Sequence, residues 1–217
     1  MKIQWLGHSA FLLEESTGTR VITDPYGSHV GFEMPAVQAD IVTVSHQHKD
    51  HNNTAAVLGN PQVLHTIGGF EIKGVHIFSL NSHHDKVKGQ ERGNNIIFVF
   101  GIDGVDICHL GDIGEACTLE LAEAIGAVNV LIIPVGGEFT IDAEEAKEYV
   151  DKLMPDVVIP MHFKSHDSEF DIEKVDAFLK YFDDEDIIRV EGDTIELDRN
   201  KFDNESTKVV LFDSHAQ

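Results

Sequence analysis

"ADIVTVSHQHKDHNN", residues 39–53, governs the reading of the whole chain. Its first seven residues form a nearly continuous apolar and β-branched run, the pattern of a strand buried on both faces. The run ends directly in His46, His48, Asp50 and His51, an H-x-H-x-D-H array. At this chain's His and Asp frequencies, chance would yield such an array in roughly four chains per thousand, so an ordinary structural role for every member is the poorer account. Imidazole and carboxylate suit zinc, manganese or iron, with donor atoms about 2 Å from the ion. Four such side chains on one tight turn do not serve a single ion comfortably. Alternation along an extended stretch sends His46 and His48 the same way, and Asp50 and His51, past the turn, face a second ion. The array is therefore half of a two-metal site.

The missing ligands are expected at the carboxyl ends of other buried strands. "NSHHDKVKG" (81–89) offers His83 or His84, "ICHLGDIG" (107–114) offers Asp112, and "VVIPMHF" (157–163) offers His162. Any of these alone reads more naturally as structural. Their shared position, at a strand end with a turn following, favours ligation. Three imidazoles then serve one ion, Asp50, His51 and His162 the other, and Asp112 lies between.

The rest of the chain frames these strands. Early segments such as "KIQWLG" (2–7), "AFLLEE" (10–15) and "TRVITDP" (19–25) read as strands, and "HNNTAAVLG" (51–59) as a short helix closed by Gly59. "NNIIFVFGIDGVDICHLGD" (94–112) reads as a hairpin turning at "GIDG". Later, "TLELAEAIGAV" (118–128), "DAEEAKEYVDKL" (142–153) and "DIEKVDAFLKYF" (171–182) carry helix patterns, and "IIRVEGDTIELD" (187–198) reads as a hairpin. Strands come first and helices are mixed in, in two halves of similar texture, about 1–103 and 104–217. The expectation is one α/β (α+β) domain over 1–217, with two sheets and helices on their outer faces.

Composition narrows the function. The 217 residues carry 38 acidic and 16 basic side chains, a net charge of −22. Such a surface repels phosphate backbones and anionic membranes, so neither nucleic acid nor a membrane is expected as partner. No apolar run approaches the roughly 18–20 residues that span a bilayer, and no signal peptide is evident at the start. Two cysteines, Cys108 and Cys117, outside any C-x-x-C pair, fit a reducing cytoplasm.

Beyond the array, "WLGHSAF" (5–11), "ITDPY" (22–26), "HHDKVKGQERGNN" (83–95), "HLGDIGE" (109–115), "LIIPVGGEFTIDAEEA" (131–146) and "IPMHF" (159–163) together resemble the metallo-β-lactamase fold hydrolases. The resemblance is to the branch that holds the L-ascorbate-6-phosphate lactonase and many small metal-dependent hydrolases. It implies a four-layer αββα sandwich with the site at one edge between the sheets. It also implies that His46, His48 and a third histidine hold the first ion, that Asp50, His51 and His162 hold the second, and that Asp112 bridges them. His84 is preferred to His83 as the third, because the family's histidine typically precedes an acidic residue. Zinc is the first choice for both ions, with manganese or iron as alternatives, and the lactonase likeness implies association into a homo-oligomer.

Two ions sharing a water would lower its pKa from about 15.7 towards 7 and so provide a hydroxide at neutral pH. Asp50 is placed to orient that hydroxide as well as to bind metal. The substrate side is expected to involve His8, Arg92 and Asn94. Arg92 draws notice because cations are scarce, and its fork suits carboxylate or phosphate. Gly136 and Gly137 are read as permitting a tight loop near the site, Asp24 as a turn residue or a support to the ligands, and His109 as pointing into the structure. His29, His65, His76, His166 and His215 are assigned to structural or surface positions. The expected activity is hydrolysis of a small anionic lactone, ester or amide. The alternatives are a phosphodiesterase acting on small or lipid-derived diesters, and a non-catalytic metal-binding module on a hydrolase fold.

Overall fold

Phe11 and Leu13 belong to one buried cluster and their strand neighbours Ala10 and Leu12 to another. A strand apolar on both faces needs a layer on each side of it. The computed structural model, which describes residues 1–31, 33–165, 170–202 and 206–213, supplies those layers around two mixed sheets. The smaller sheet holds β1 (Lys2–Gly7), β2 (Ala10–Glu14), β3 (Arg20–Thr23), β4 (Ile41–Thr43) and β5 (Gln62–Leu64) in that order. β1 to β3 are antiparallel, and β3 to β5 are parallel. The larger sheet starts as an antiparallel meander of β6 (Gly68–Ile72), β7 (Val75–His83), β8 (Asn94–Ile102) and β9 (Val105–His109). Beyond β9 it turns parallel, through β10 (Val130–Pro134) and β11 (Val157–Met161). Its far edge is completed by β12 (Ile187–Glu191), while β13 (Thr194–Glu196) crosses to pair with β1, and β14 (Lys208–Asp213) fits between β11 and β12.

Residues from both sheets share one core, with Trp5 and Ile41 from the smaller meeting Phe98, Phe100 and Ile132 from the larger. α2 (Ala143–Leu153) packs on β10, flanked by α1 (Leu119–Ile125) and α3 (Asp176–Leu179). Its buried residues, Ala146, Tyr149, Val150 and Leu153, follow the i, i+3, i+4, i+7 spacing of one helix face. Its start is fixed by a capping box, in which Asp142 accepts from the Glu145 backbone and Glu145 from the Asp142 backbone. A cap of this kind contributes about 1 kcal/mol. On the smaller sheet the second apolar face, including Leu12, Ile22 and Val42, is covered by Tyr26, Val30, Ala39 and Val57. Those residues lie on loops and short 3-10 turns. The expected α/β sandwich is present, with that outer layer made of irregular chain. No helix among the described residues is long and apolar enough to cross a membrane.

Three local expectations change. Residues 51–59 form only a 3-10 turn, Thr54–Ala56, because neighbouring donors are spent outside a helix: Asn53 N–H on the Pro25 carbonyl and Leu58 N–H on that of Val37. The helix expected over 171–182 is reduced to α3, since Glu173 N–H donates to Gly136 O and Glu173 O accepts from Lys164 N–H. The hairpin expected over 187–198 does not form. β12 and β13 part at Gly192, whose φ of +90° suits glycine, and join different sheets. The turn at Asp103–Gly104 between β8 and β9 is as expected, with φ positive at both residues.

Candidate metal centre

Strands from both sheets end at one place. His8 follows β1, Asp24 follows β3, residues 44–51 follow β4, His84 follows β7, Asp112 lies past β9 and His162 follows β11. Side chains at carboxyl ends of strands in an open α/β sheet commonly build a site. Here they bring together His46, His48, Asp50, His51, His84, Asp112 and His162. One group is His46, His48 and His84, and another is Asp50, His51 and His162 with His8. Asp112 sits among them, its Oδ2 lying 3.2 Å from His51 Nε2, 3.2 Å from His162 Nε2, 3.4 Å from His84 Nε2 and 3.8 Å from His46 Nε2. These separations are at or beyond the usual upper limit of an N–H···O bond. They match the spacing of about 3.4 Å between two donors bound tetrahedrally at about 2.1 Å to a common ion.

His84 and His83 separate cleanly. His84 is buried and faces Asp112, whereas the His83 ring pairs with Glu115 at 2.8 Å and is partly open to solvent. Asp24 proves to be a support for two imidazoles. It accepts from His51 Nδ1 at 2.9 Å and from Ser45 Oγ at 2.6 Å, and Ser45 Oγ in turn lies 2.9 Å from His46 Nδ1. The Ser45 proton being spent on Asp24, its oxygen accepts from His46. Both rings are thereby fixed with Nε2 towards the centre, the arrangement that holds histidine ligands in place. Asn95 performs the same task for Asp112: its Oδ1 accepts from Asp112 N–H at 3.0 Å, while its Nδ2 donates to Ser82 and to the Leu110 carbonyl.

Close backbone approach is built in by glycine. A Cβ on Gly114 would fall 2.6 Å from the His84 backbone, and one on Gly136 would overlap the His162 carbonyl. His8, Asp24 and His162 all have positive φ, at 51°, 40° and 50°. Non-glycine residues held this way carry backbone strain, which concentrates at functional sites. The His8 carbonyl is anchored by Trp5 Nε1 at 3.0 Å, and Trp5 itself packs on Phe163 and Phe212 of the opposite sheet region.

The electrostatics suit cations. Burial pushes His46 down to about 3, aided by the neighbouring charge of His51, and burial likewise lowers His84. For Asp112, burial favours the neutral acid but is outweighed by His162 and His51, so the carboxyl lies well below its usual range. Burial also opposes ionisation of Asp50 and Asp24; the hydrogen bond from His51 overcomes it at Asp24, and the nearby His51 and His8 rings overcome it at Asp50. His51 is held well above its usual value, burial being outweighed by Asp112, Asp24 and Asp50. Three ionised carboxylates thus converge, with His46 and His84 held neutral and His51 held protonated, a positive charge that a bound cation would replace. His46 Nε2, His51 Nε2 and Asp112 Oδ1 are buried without a hydrogen-bond partner, a costly state that coordination would relieve. The donor set fits divalent metal.

A cavity of about 580 Å³ opens beside His46 and His48. Arg92 and Asn94 line it, as do His65, Thr66, Ile67 and Asn81. His65, read as structural or surface, thus joins a cavity wall, a placement that only the neighbouring β7–β8 pair reveals. The loop carrying Arg92 is gathered around Asp85, whose carboxylate accepts from the backbone N–H groups of Val87, Gly89, Glu91 and Arg92. The Arg92 guanidinium lies 4.6 Å over the Phe139 ring. His109 is structural, its ring bound to Ser9 O and Gly111 N. His76 is a surface residue near Glu71, and His166 and His215 lie outside the described residues.

Residues 2–162 match the Beta-lactamase superfamily domain. A UPF0173 metal-dependent hydrolase of Pelotomaculum thermopropionicum is 31% identical over 196 residues, covering 76% of this chain and 85% of that protein. A counterpart from Thermococcus onnurineus is 30% identical over 194 residues, with 76% and 85% covered. Among solved structures, a protein of Thermotoga maritima assigned as a Zn-dependent hydrolase of the metallo-β-lactamase superfamily superimposes with a TM-score of 0.80, at 40% identity and 97% of each chain covered. The chain belongs to the metallo-β-lactamase superfamily and is one of its metal-dependent hydrolases.

Proposed function

We propose that the centre holds two divalent ions, zinc first with manganese or iron as alternatives, and hydrolyses a small anionic lactone, ester or amide in the cytoplasm. His46, His48 and His84 hold the first ion, Asp50, His51 and His162 the second, and Asp112 bridges them. The observation that carries this reading is the ring of donors 3.2–3.8 Å from Asp112 Oδ2, with the two donor groups on either side of it. When bound, such ions supply Lewis acidity, polarising the scissile carbonyl and acidifying water.

The chain's own residues do the rest. Asp50, 17% exposed at its side chain against 2% for Asp112, is the more open of the two carboxylates and orients the attacking water. Asp24 and Asn95 keep His51, His46 and Asp112 in position. Arg92 captures the anionic group of a substrate lying in the cavity, with Ile67 and Ile96 as apolar wall. The buried free thiols Cys108 and Cys117 support a reducing compartment.

The test is a rate comparison on Zn- and Mn-loaded protein, with lactone and ester substrates beside phosphodiesters and Asp50→Ala as control. Metal-dependent lactone or ester cleavage that is lost in the variant is the expected result. Cleavage of phosphodiesters alone would transfer the assignment to small diesters, since Arg92 accepts phosphate as readily as carboxylate. No turnover by fully metallated protein across both panels would leave a metal-binding module.

A further inference from the structure

We infer that His8 is a ligand of the second ion, donating Nε2 beside Asp50, His51 and His162; the inference rests on the two-ion reading above. The donor atoms of these four side chains all lie within 4.8 Å of one another. His8 Nε2 stands 3.4 Å from Asp50 Oδ2, nearly the 3.6 Å between His51 Nε2 and that same oxygen. Both distances are long for hydrogen bonds and fit donors sharing an ion. His8 is 5% exposed, and its Nε2 is buried without a hydrogen-bond partner. A packing role would be served by an apolar ring without stranding that nitrogen.

The surroundings aim the ring inward. Its centroid is 4.4 Å from that of His162 and 5.2 Å from that of His51, and Phe170 stacks at 5.5 Å. The cavity beside His46 and His48 is lined by Arg92 and Asn94, and His8 is not among its lining residues, so contact with a substrate there is the weaker account. The left-handed backbone at His8, the Gly7 before it and the Trp5 bond to its carbonyl hold the side chain at this angle.

The two positions then differ in donor number. The first has three imidazoles and Asp112. The second has His8, Asp50, His51 and His162 as well as Asp112. Zinc in closed sites prefers four donors, whereas manganese and iron accept more, so the second position is the one suited to a higher-coordinate ion. The first keeps room for substrate on its cavity side.

Metal content, competition with a chelator and the visible spectrum of the cobalt-loaded protein test this in wild type, His8→Gln and His8→Cys, with folding followed by circular dichroism. Wild type is expected to bind two ions. His8→Gln should keep the first and weaken the second by at least about 100-fold, the upper end for disturbing a group merely behind the ligands. His8→Cys should gain a thiolate-to-cobalt charge-transfer band, a sign of direct contact that stands even if His8→Gln fails to fold. Two ions bound by His8→Gln as tightly as by wild type would overturn the inference, whatever happens to turnover, as would a folded His8→Cys without the band. One ion in wild type would instead overturn the two-ion reading and this inference with it.

Discussion

On one side of Asp112, His48 is open to solvent and His46 and His48 border the cavity; on the other, His8, His51 and His162 are each at most 5% exposed. The open side carries only imidazoles, whereas the closed side adds the carboxylate of Asp50. Solvent access and charge therefore run in opposite directions across the centre. A neutral donor set beside an open cavity would leave a bound ion electron-poor and available, the condition for polarising a substrate. A buried set containing a carboxylate would hold a cation more firmly, because the negative charge offsets the cost of burying it. The asymmetry divides holding from reacting, and it can be attacked at three points.

The heaviest blow falls on the residue common to both sides. Asp112→Ala removes the oxygen around which four imidazoles gather, leaving His162 without the carboxylate at 3.2 Å and His51 with only Asp24 and Asp50. Both ions should be lost on dialysis, and turnover should fall by about 10³-fold or more once acidification of water is gone. Elemental analysis beside steady-state rates checks it; two retained ions would mean that Asp112 does not bridge the sides. Asp24→Ala should act next. Its carboxylate holds His51 directly and His46 through Ser45, so it reaches both sides from behind the rings. Affinity should fall about 10–100-fold at both positions. Chelator titration would reveal a loss confined to the closed side if the Ser45 link carries nothing.

Much of this centre was legible because its residues follow buried strands, and buried strands announce themselves. The run 39–45, the array after it, and the ends of β9 and β11 needed only pattern and burial. What stayed hidden depends on pairing between distant segments. Asp24 before Pro25 reads as a turn residue or a support, undecided until β3 and β4 lie parallel with Thr23 beside Thr43, which delivers Asp24 next to Ser45. His83 and His84 were separable only through the family likeness, since adjacent residues at a strand end differ by which face the last pleat presents. Asn95 and not Asn94 supports Asp112, for the same reason of phase: Asn95 is buried and Asn94 exposed. The false hairpin over 187–198 has a related origin. Local pattern marks two strands about Gly192, but their partners, β14 and β1, lie far off in the chain.

Arg92 bears on the open side alone, and its effect should be the smallest and the most selective. Its side chain is exposed, has no carboxylate partner in the ion pairs of the described residues, and is stacked on Phe139. Its backbone is pinned by Asp85, so the guanidinium is presented without loop rearrangement. Replacing it with Ala should raise KM for an anionic substrate about tenfold, the size of one charge-assisted contact at a partly solvated site, and leave kcat nearly unchanged. A neutral analogue with the same scissile bond should show no such rise. Arg92→Lys should recover only part of the loss, because an ammonium keeps the charge and forfeits the two-pronged geometry. Metal content should be untouched in both variants, which separates an effect on the substrate from one on the ions. An equal rise for charged and neutral substrates would mean that the open side selects by shape, with Ile67 and Ile96 deciding what enters and the cation merely packed against its ring.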